Sequence, residues 1–194
     1  MDVLLLGPQG SGKGTQAKRI AGEYGIPHVA TGDMFRAAIA ARSDLGRRVE
    51  PILERGDLVP DELTVALIRE RLLHDDAARG FVLDGFPRNL AQSEALDEML
   101  RDEARSLDVV FELLVSDEVA RGRMASRAHL EGRPDDTPEA IDRRLELYHQ
   151  LTEPITEHYR AQGKLVGIHG ERSEGEVFSE IQRVLERFED EVPA

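Results

Sequence analysis

The fold is decided by the stretch VLLLGPQGSGKGTQ, residues 3–16. Its apolar run at 3–6 is typical of a buried strand, the glycine-rich segment 7–15 of a tight loop, and the residues after it of a helix. Glycines let successive loop N–H groups point inward, and the helix adds its unpaired N–H groups and positive dipole end. Lys13 contributes a mobile positive charge. The sequence therefore predicts a phosphate-binding loop rather than an ordinary glycine-rich turn.

One position departs from the general phosphate-loop pattern. That pattern places Ser or Thr directly after the lysine, where the hydroxyl binds Mg²⁺. Here Gly14 follows Lys13, and Thr15 comes one residue later. We therefore expect Thr15 to make at most one contact with a metal ion.

Composition and charge narrow the class of protein. The 194 residues are enough for one compact unit with a sizeable core, and 40% hydrophobic with 32% charged residues is typical of a globular protein. The net charge of -13 opposes general binding to nucleic acid or anionic membranes. Cysteine is absent, so there is no disulfide and no thiolate metal site, and neither a signal peptide nor a membrane-spanning run is evident. We expect a cytoplasmic protein that concentrates positive charge locally if it binds a polyanion.

Five apolar runs alternate with helical patterns, at 3–6, 27–30, 80–83, 109–115 and 165–168. Nearly continuous apolar strands between helices predict an α/β fold with a parallel sheet buried on both faces. Ligands bind such sheets at the carboxyl ends of the strands. Polar motifs follow the first three runs, as that rule requires.

Two segments interrupt this alternation. From about 31 to 60 the chain has helical patterns and no strand, which predicts a small helical insertion. From about 126 to 138 it is polar, with Gly132 and two prolines, and we expect a short flexible loop over the site. A long helix should follow as far as about residue 160, kinked or divided at Pro154.

The motif after the third strand is chemically informative. Asp84 ends a buried strand, where an unpaired carboxylate is costly, so beside a phosphate loop it is a candidate to hold a hydrated Mg²⁺. Gly85 and Pro87 form a turn that projects Arg88. The alternative interpretation of this motif is a capped turn after a strand. Thr31, which follows the second apolar run, would by itself fit a helix N-cap.

A third group is cationic. Arg123 and Arg127 are four residues apart and share a helix face, Arg133 lies in the polar loop, and Arg143 and Arg144 lie in the next helix. The planar fork of arginine matches phosphate oxygens. Singly these residues would fit ordinary salt bridges, for example between Arg133 and Asp135, but together they supply the local positive charge that an acidic chain needs. The histidines show no metal-binding spacing and are expected to be structural or surface residues.

With these motifs in place, the chain resembles the adenylate kinase family of the bacterial, short-lid type over nearly its whole length. Five stretches in the right order carry the resemblance: GPQGSGKGTQ at 7–16, TGDMFR at 31–36, GDLVPDEL at 56–63, GFVLDGFPRNLAQ at 80–92 and GRPDD at 132–136. The resemblance implies a doubly wound parallel five-stranded sheet of the P-loop NTPase type. It also implies three regions, which are a core of 1–29, 60–125 and 139–194, a nucleoside-monophosphate-binding insertion of 30–59, and a short lid of 126–138.

The resemblance also implies roles for individual residues. ATP would be bound by Gly10, Ser11, Gly12, Lys13, Gly14, Thr15, Arg123, Arg127 and Arg172. AMP would be bound by Thr31, Gly32, Arg36, Asp57, Leu58, Val59, Gly85, Phe86, Pro87, Arg88, Gln92, Arg133 and Arg144, with Gln92 reading the adenine edge. The catalytic charges would be those of Lys13, Arg88, Arg127, Arg133 and Arg144, the lid arginines being positioned by Asp135 and Asp136. Asp84 would hold Mg²⁺ through water.

The activity implied is reversible phosphoryl transfer from ATP to AMP, giving two ADP, with Mg²⁺ as cofactor and a role in adenine nucleotide homeostasis. ATP, AMP and ADP would be the partners of a monomer that binds no nucleic acid or membrane, and no zinc is expected because the lid is short and lacks cysteine. Two alternatives remain. A UMP/CMP kinase would typically have Ala in place of Thr31 and an Asn-rich stretch after Arg88, so only Asn89 favours it. A non-catalytic nucleotide sensor would not need the complete arginine set.

Overall fold

Five parallel strands form one sheet in the order β2-β3-β1-β4-β5 in the computed structural model, which describes residues 1–133 and 135–189. The strands are β1 Asp2–Leu6, β2 His28–Ala30, β3 Phe81–Asp84, β4 Val109–Leu114 and β5 Leu165–His169. All five apolar runs are thus confirmed as strands, and so is the α/β fold class.

The central strand β1 explains why the sheet is buried on both faces. Val3 and Leu5 pack into one hydrophobic core, whereas Leu4 and Leu6 pack into a second core on the opposite face. Successive side chains of a strand point to opposite faces, so a strand with helices on both sides must be apolar at every position. This is the physical reason for the uninterrupted apolar run that precedes the glycine-rich loop.

Helices cover both faces of the sheet and connect its strands. They are α1 Lys13–Tyr24, α2 Thr31–Ala40, α3 Asp44–Glu54, α4 Asp61–Leu72, α5 Leu90–Asp102, α6 Asp117–Glu131, α7 Pro138–Leu147, α8 Ile155–Ala161 and α9 Glu174–Glu189, with a 3₁₀ turn at Asp75–Ala77. In the described part of the chain, every helix is too short or too polar to cross a bilayer.

The helices predicted between about 31 and 60 are confirmed as α2 and α3, and the chain between β2 and the end of α3 contains no strand. These two helices pack with the segment after α3 around a small hydrophobic core, formed by Phe35, Val49 and Val59. Ser43 caps α3, because its Oγ accepts a hydrogen bond from the Gly46 N–H at 3.0 Å. The insertion is therefore a packed unit and not an extended loop.

The prediction of a loop at 126–138 was wrong in its first half. Helix α6 continues through Glu131, and Gly132 ends it with a left-handed φ of 60°. Thr137 then caps α7 by accepting a hydrogen bond from the Ala140 N–H at 3.2 Å, with Pro138 in the first turn. The chain between the two helices is thus only six residues, of which Pro134 lies outside the described part.

The predicted division at Pro154 is confirmed. Helix α7 gives way to a π-helical turn at Tyr148–Thr152, and α8 begins directly after Pro154. Proline has no N–H to continue the ladder of helical hydrogen bonds, which favours a break in the regular helix at this position. The Glu153 N–H instead donates to the Tyr148 carbonyl at 2.8 Å, five residues back.

Candidate active site

A cleft of about 870 Å³ opens where the strands β1 and β3 end. The phosphate-loop segment 7–15 forms one wall, and α2, α6 and α7 contribute the others. Among the described residues that line it there are five carboxylates but nine basic side chains, those of Lys13, Lys18, Arg36, Arg88, Arg123, Arg127, Arg133, Arg144 and Arg172. This acidic protein therefore concentrates positive charge at one place, as binding to a polyanion requires.

The glycine-rich loop folds around the lysine ammonium. Lys13 Nζ donates hydrogen bonds to the carbonyl oxygens of Gly7 at 2.7 Å and Pro8 at 2.8 Å. Burial lowers the pKa of Lys13 to about 8, although the Asp84 charge acts in the opposite direction. Gly10 has a φ of 82°, and a Cβ there would lie 2.4 Å from the Ala120 carbonyl oxygen of α6, so this position requires glycine.

Two further arginines predicted on the ATP side lie near this loop. Arg123 Nη1 donates to the carbonyl oxygens of Gly170 at 2.9 Å and Ser11 at 3.3 Å. It therefore connects the phosphate loop to the turn after β5. Arg172 lines the cleft from that turn, and its Nη2 lies 2.8 Å from Glu180 Oε2 on α9.

Asp84 lies at the end of β3, next to the first turn of α1. Burial raises the pKa of this carboxyl, but the His28 imidazole and the Lys13 charge outweigh that effect and leave the pKa below its ordinary value. His28 Nε2 is 3.6 Å from Asp84 Oδ2. Sequence reasoning missed His28, because only the pairing of β2 with β3 brings the two side chains together. The carboxylate is ionised and can hold a hydrated cation.

The turn after Asp84 holds Arg88 in place. Its Nε donates to the Gly85 carbonyl oxygen at 2.8 Å, which also accepts from Thr31 Oγ1 at 2.9 Å. Burial lowers the pKa of Arg88 to about 10, and the nearby positive charge of Arg144 acts in the same direction. The Phe86–Pro87 peptide bond in this turn is cis.

Thr31 is not the N-cap of α2. The N-cap residue is Ala30, and no side chain makes a capping hydrogen bond there.

Gln92 lies behind this turn and is 1% exposed. Its Oε1 accepts from the Arg88 N–H at 2.8 Å, and its Nε2 donates to Asp61 Oδ1 at 2.6 Å. Asn89 Nδ2 donates to the same Asp61 oxygen at 2.9 Å. Asp61 was missed from sequence, because its partners are about thirty residues away along the chain and only packing of α4 against α5 joins them.

The side chains of Asp135 and Asp136 lie among three arginines of the cleft. Asp136 accepts from Arg127 at 2.8 and 3.0 Å, and it also pairs with Arg144. Asp135 accepts from Arg144 Nη2 at 2.6 Å and lies 3.8 Å from Arg36 Nη1. Both aspartates are buried. Burial raises the pKa of Asp135, but the charge and hydrogen bond of Arg144 outweigh it and leave the pKa below its ordinary value. Arginines from α2, α6 and α7 thus meet at one short segment.

The insertion also contacts α7. Asp57 Oδ1 accepts from Arg143 Nε at 3.0 Å, while its other oxygen accepts from Arg55 Nε at 3.0 Å. These hydrogen bonds lower the pKa of Asp57. The sequence placed Arg143 in the cationic group but did not indicate that it pairs with Asp57, because the two residues are 86 positions apart.

Most of the residues predicted for the site line the cleft, and a few lie directly behind its walls. Arg133 is among those that line it. The residues that are not at the cleft surface are Thr31, Leu58, Val59, Phe86, Gln92 and Asp136. The structure therefore brings together the phosphate loop, the turn around Arg88 and the carboxylates of Asp135 and Asp136.

Comparison with known proteins agrees with this arrangement. The family model described as Adenylate kinase matches residues 5–164. The chain is similar to an adenylate kinase of Thermobifida fusca, with 51% identity over 85% of this chain and 87% of the relative. It is also similar to an adenylate kinase of a Cyanothece species, with 46% identity over 97% of both chains, and to one of Parvibaculum lavamentivorans, with 47% identity over 95% of this chain and 92% of the relative. The chain belongs to the adenylate kinase family.

Proposed function

We propose that this chain catalyses reversible transfer of the terminal phosphoryl group of ATP to AMP, giving two molecules of ADP. The observation that carries the proposal is the convergence of Lys13, Arg88, Arg127 and Arg144 on one cleft between the phosphate loop and the helical insertion. Phosphoryl transfer needs little covalent chemistry from a protein, because its barrier is lowered mainly by positioning and charge neutralisation. A ring of fixed cations supplies both.

We propose that the two nucleotides bind from opposite sides of this ring. The loop 10–15 and Arg123, Arg127 and Arg172 hold ATP, with Lys13 at the outer phosphates. The insertion and the turn around Arg88 hold AMP, whose phosphate would be bound by Arg36 and Arg88. The in-line geometry of transfer then places the moving group between Lys13 and the arginines.

The positively charged catalytic side chains would stabilise the phosphoryl group in the transition state of its transfer. Arg127, Arg133 and Arg144 come from the region of the lid, and Asp135 and Asp136 hold two of these three guanidinium groups at fixed positions. Donors that are already oriented need no reorganisation when charge develops, which is why such contacts accelerate reactions.

A Mg²⁺ ion fits the chemistry of the site. Mg²⁺ is usually held by one or two carboxylates together with phosphate oxygens and water, and the ionised Asp84 carboxylate stands beside the phosphate loop. We propose that Asp84 holds the ion through water and that Thr15 makes at most one contact. The bound ion would neutralise charge between the outer phosphates of ATP.

We further propose that 30–59 is the AMP-binding unit, that 126–138 is a lid, and that both close over the nucleotides. Closure would exclude water, which otherwise competes with AMP as the acceptor. We also propose that the protein acts as a monomer in the cytoplasm, where ATP, ADP and AMP are metabolites.

The test is incubation of pure protein with ADP and Mg²⁺ and no other nucleotide. Formation of ATP and AMP in equal amounts supports the proposal. No conversion of ADP would indicate a nucleotide sensor, and activity only with ATP plus UMP or CMP would indicate a kinase for a different monophosphate. The Lys13→Met variant serves as a control against a contaminating enzyme.

The base preference has its own test. We propose that the Gln92 amide reads the adenine of AMP, so Gln92→Ala should raise the KM for AMP about tenfold or more and leave the KM for ATP unchanged. An unchanged KM for AMP would assign Gln92 to the support of the Arg88 turn alone.

A further inference from the structure

The main-chain carbonyl of Arg88 has a partner 64 residues away in the chain. Thr152 Oγ1 donates to this oxygen at 2.8 Å. Both residues line the cleft, and Thr152 is 9% exposed. Since Thr152 is largely buried and its hydroxyl is close to the carbonyl oxygen, this hydrogen bond belongs to the wall of the cleft and is not an exposed surface contact.

Thr152 reaches this position through the π-helical turn. It is the last residue of that turn, which is closed by the hydrogen bond from the Glu153 N–H to the Tyr148 carbonyl. A π-turn contains one residue more than an α-turn, and in an α-helix one residue rotates the following side chains by about 100°. A regular helix through this segment would therefore direct a different side chain toward Arg88.

The peptide unit before Arg88 and the Arg88 side chain are held as well. The Arg88 N–H donates to Gln92 Oε1 at 2.8 Å, and the Arg88 guanidinium Nε donates to the Gly85 carbonyl at 2.8 Å. With its N–H, its carbonyl and one guanidinium nitrogen engaged, Arg88 has little freedom left. The two terminal nitrogens of its guanidinium are the groups that remain to bind phosphate.

We propose that Thr152 is a positioning residue for Arg88, and that its hydroxyl holds the Arg88 backbone so that the guanidinium is directed at the transferred phosphoryl group. The inference rests on the catalytic role proposed above for Arg88. Thr152 itself acts only through Arg88. Because transfer depends on accurate placement of charge, loss of this hydrogen bond lowers turnover more than it lowers substrate binding.

The first experiment measures the kinetics of variants at Thr152. Thr152→Val keeps the shape of the side chain and removes the donor, and kcat should fall about tenfold while the KM for each substrate stays within about twofold. Thr152→Ala should give the same loss, and Thr152→Ser should restore kcat to within about threefold of wild type, because it keeps the hydroxyl.

Thr156 provides the matched control. It is also buried, and its Oγ1 donates at 2.8 Å to a carbonyl, but to that of Glu153 in its own segment. Thr156→Val should therefore keep kcat within about twofold of wild type despite losing a similar hydrogen bond. Equal losses of kcat in Thr152→Val and Thr156→Val would overturn the inference, because both would then reflect general loosening of the helix.

A double-mutant cycle separates this inference from the role of Arg88. Arg88→Lys should lower kcat about a hundredfold, and Thr152→Val added to it should cost less than about a further twofold. Near-normal kcat in Arg88→Lys would remove the role of Arg88 and the inference with it. If Arg88→Lys is impaired but Thr152→Val lowers kcat by the same factor in both backgrounds, the role of Arg88 stands and the positioning role of Thr152 is refuted.

Discussion

Arg127 and Asp136 form a two-point ion pair, in which Nε lies 2.8 Å from Oδ2 and Nη2 lies 3.0 Å from Oδ1. The Asp136 side chain has no exposed surface and also pairs with Arg144. One buried carboxylate therefore joins α6, α7 and the short segment between them. Two of the cations proposed to act on the phosphoryl group are held by an anion of the protein itself.

Replacing this carboxylate should weaken both the fold and the reaction. In Asp136→Asn two guanidinium groups lose a buried charged partner, so the free energy of unfolding should fall by about 3 kcal/mol. Turnover should fall at least about tenfold, because the arginines lose their fixed positions. Urea unfolding and the ADP assay measure the two effects.

Asp142→Asn is the control for this prediction. Asp142 pairs with Arg121 at 2.7 Å, but both side chains are more than half exposed, and such pairs contribute less than about 1 kcal/mol. If Asp136→Asn proved as mild as Asp142→Asn, the buried carboxylate would not organise the lid.

Arg88→Ala should lower turnover at least about a hundredfold, because it removes the positioned positive charge that would stabilise the transferring phosphoryl group. The fold should stay intact, as judged by circular dichroism and by the unfolding midpoint in urea. Arg101→Ala on the exposed surface of α5 is a suitable control. Near-normal turnover of the Arg88 variant would remove this residue from the mechanism.

Lys13 gives stability a defined pH dependence. Its pKa is lowered by burial from 10.5 to about 8, so between these values the folded protein releases a proton that the unfolded chain still holds. The unfolded state then binds more protons, and the free energy of unfolding must rise with pH across this window. Below pH 8 the buried charge is fully present and its cost is greatest.

Lys13→Met should therefore be more stable than wild type at pH 7, by about 2 kcal/mol, while losing activity. The difference should shrink between pH 8 and 10 as the wild-type lysine loses its proton. Urea unfolding at intervals of pH gives the two curves, and their difference isolates Lys13 from other titrating groups. A difference that stays constant with pH would contradict the lowered pKa.

A strong zinc chelator should leave the melting temperature unchanged. The sequence contains no cysteine, and within the described residues no three His, Asp or Glu side chains are grouped so as to hold a metal ion. Calorimetry with and without phenanthroline measures the effect. A cooperative loss of structure on chelation would refute the interpretation of 126–138 as a short lid without zinc.

The strands, the phosphate loop and the helices between 31 and 60 could be predicted from the sequence, and most residues of the cleft could be named through the family resemblance. These features have local signals, because burial on both faces makes a strand apolar throughout and a phosphate loop needs glycines at set spacings before a helix. The rule that ligands bind at the carboxyl ends of parallel strands then placed Asp84 and Arg88 beside Lys13.

The distant side chains that support these residues could not be predicted from the sequence, because long-range packing brings them together. The strand order places His28 beside Asp84, packing of α4 against α5 brings Asp61 to Gln92, and a π-helical turn brings Thr152 to Arg88. Local propensity also left open where α6 would end, and the predicted loop proved to be helical as far as Glu131. The contacts of His28, Asp61 and Thr152 depend on long-range packing, which no local pattern of residues encodes.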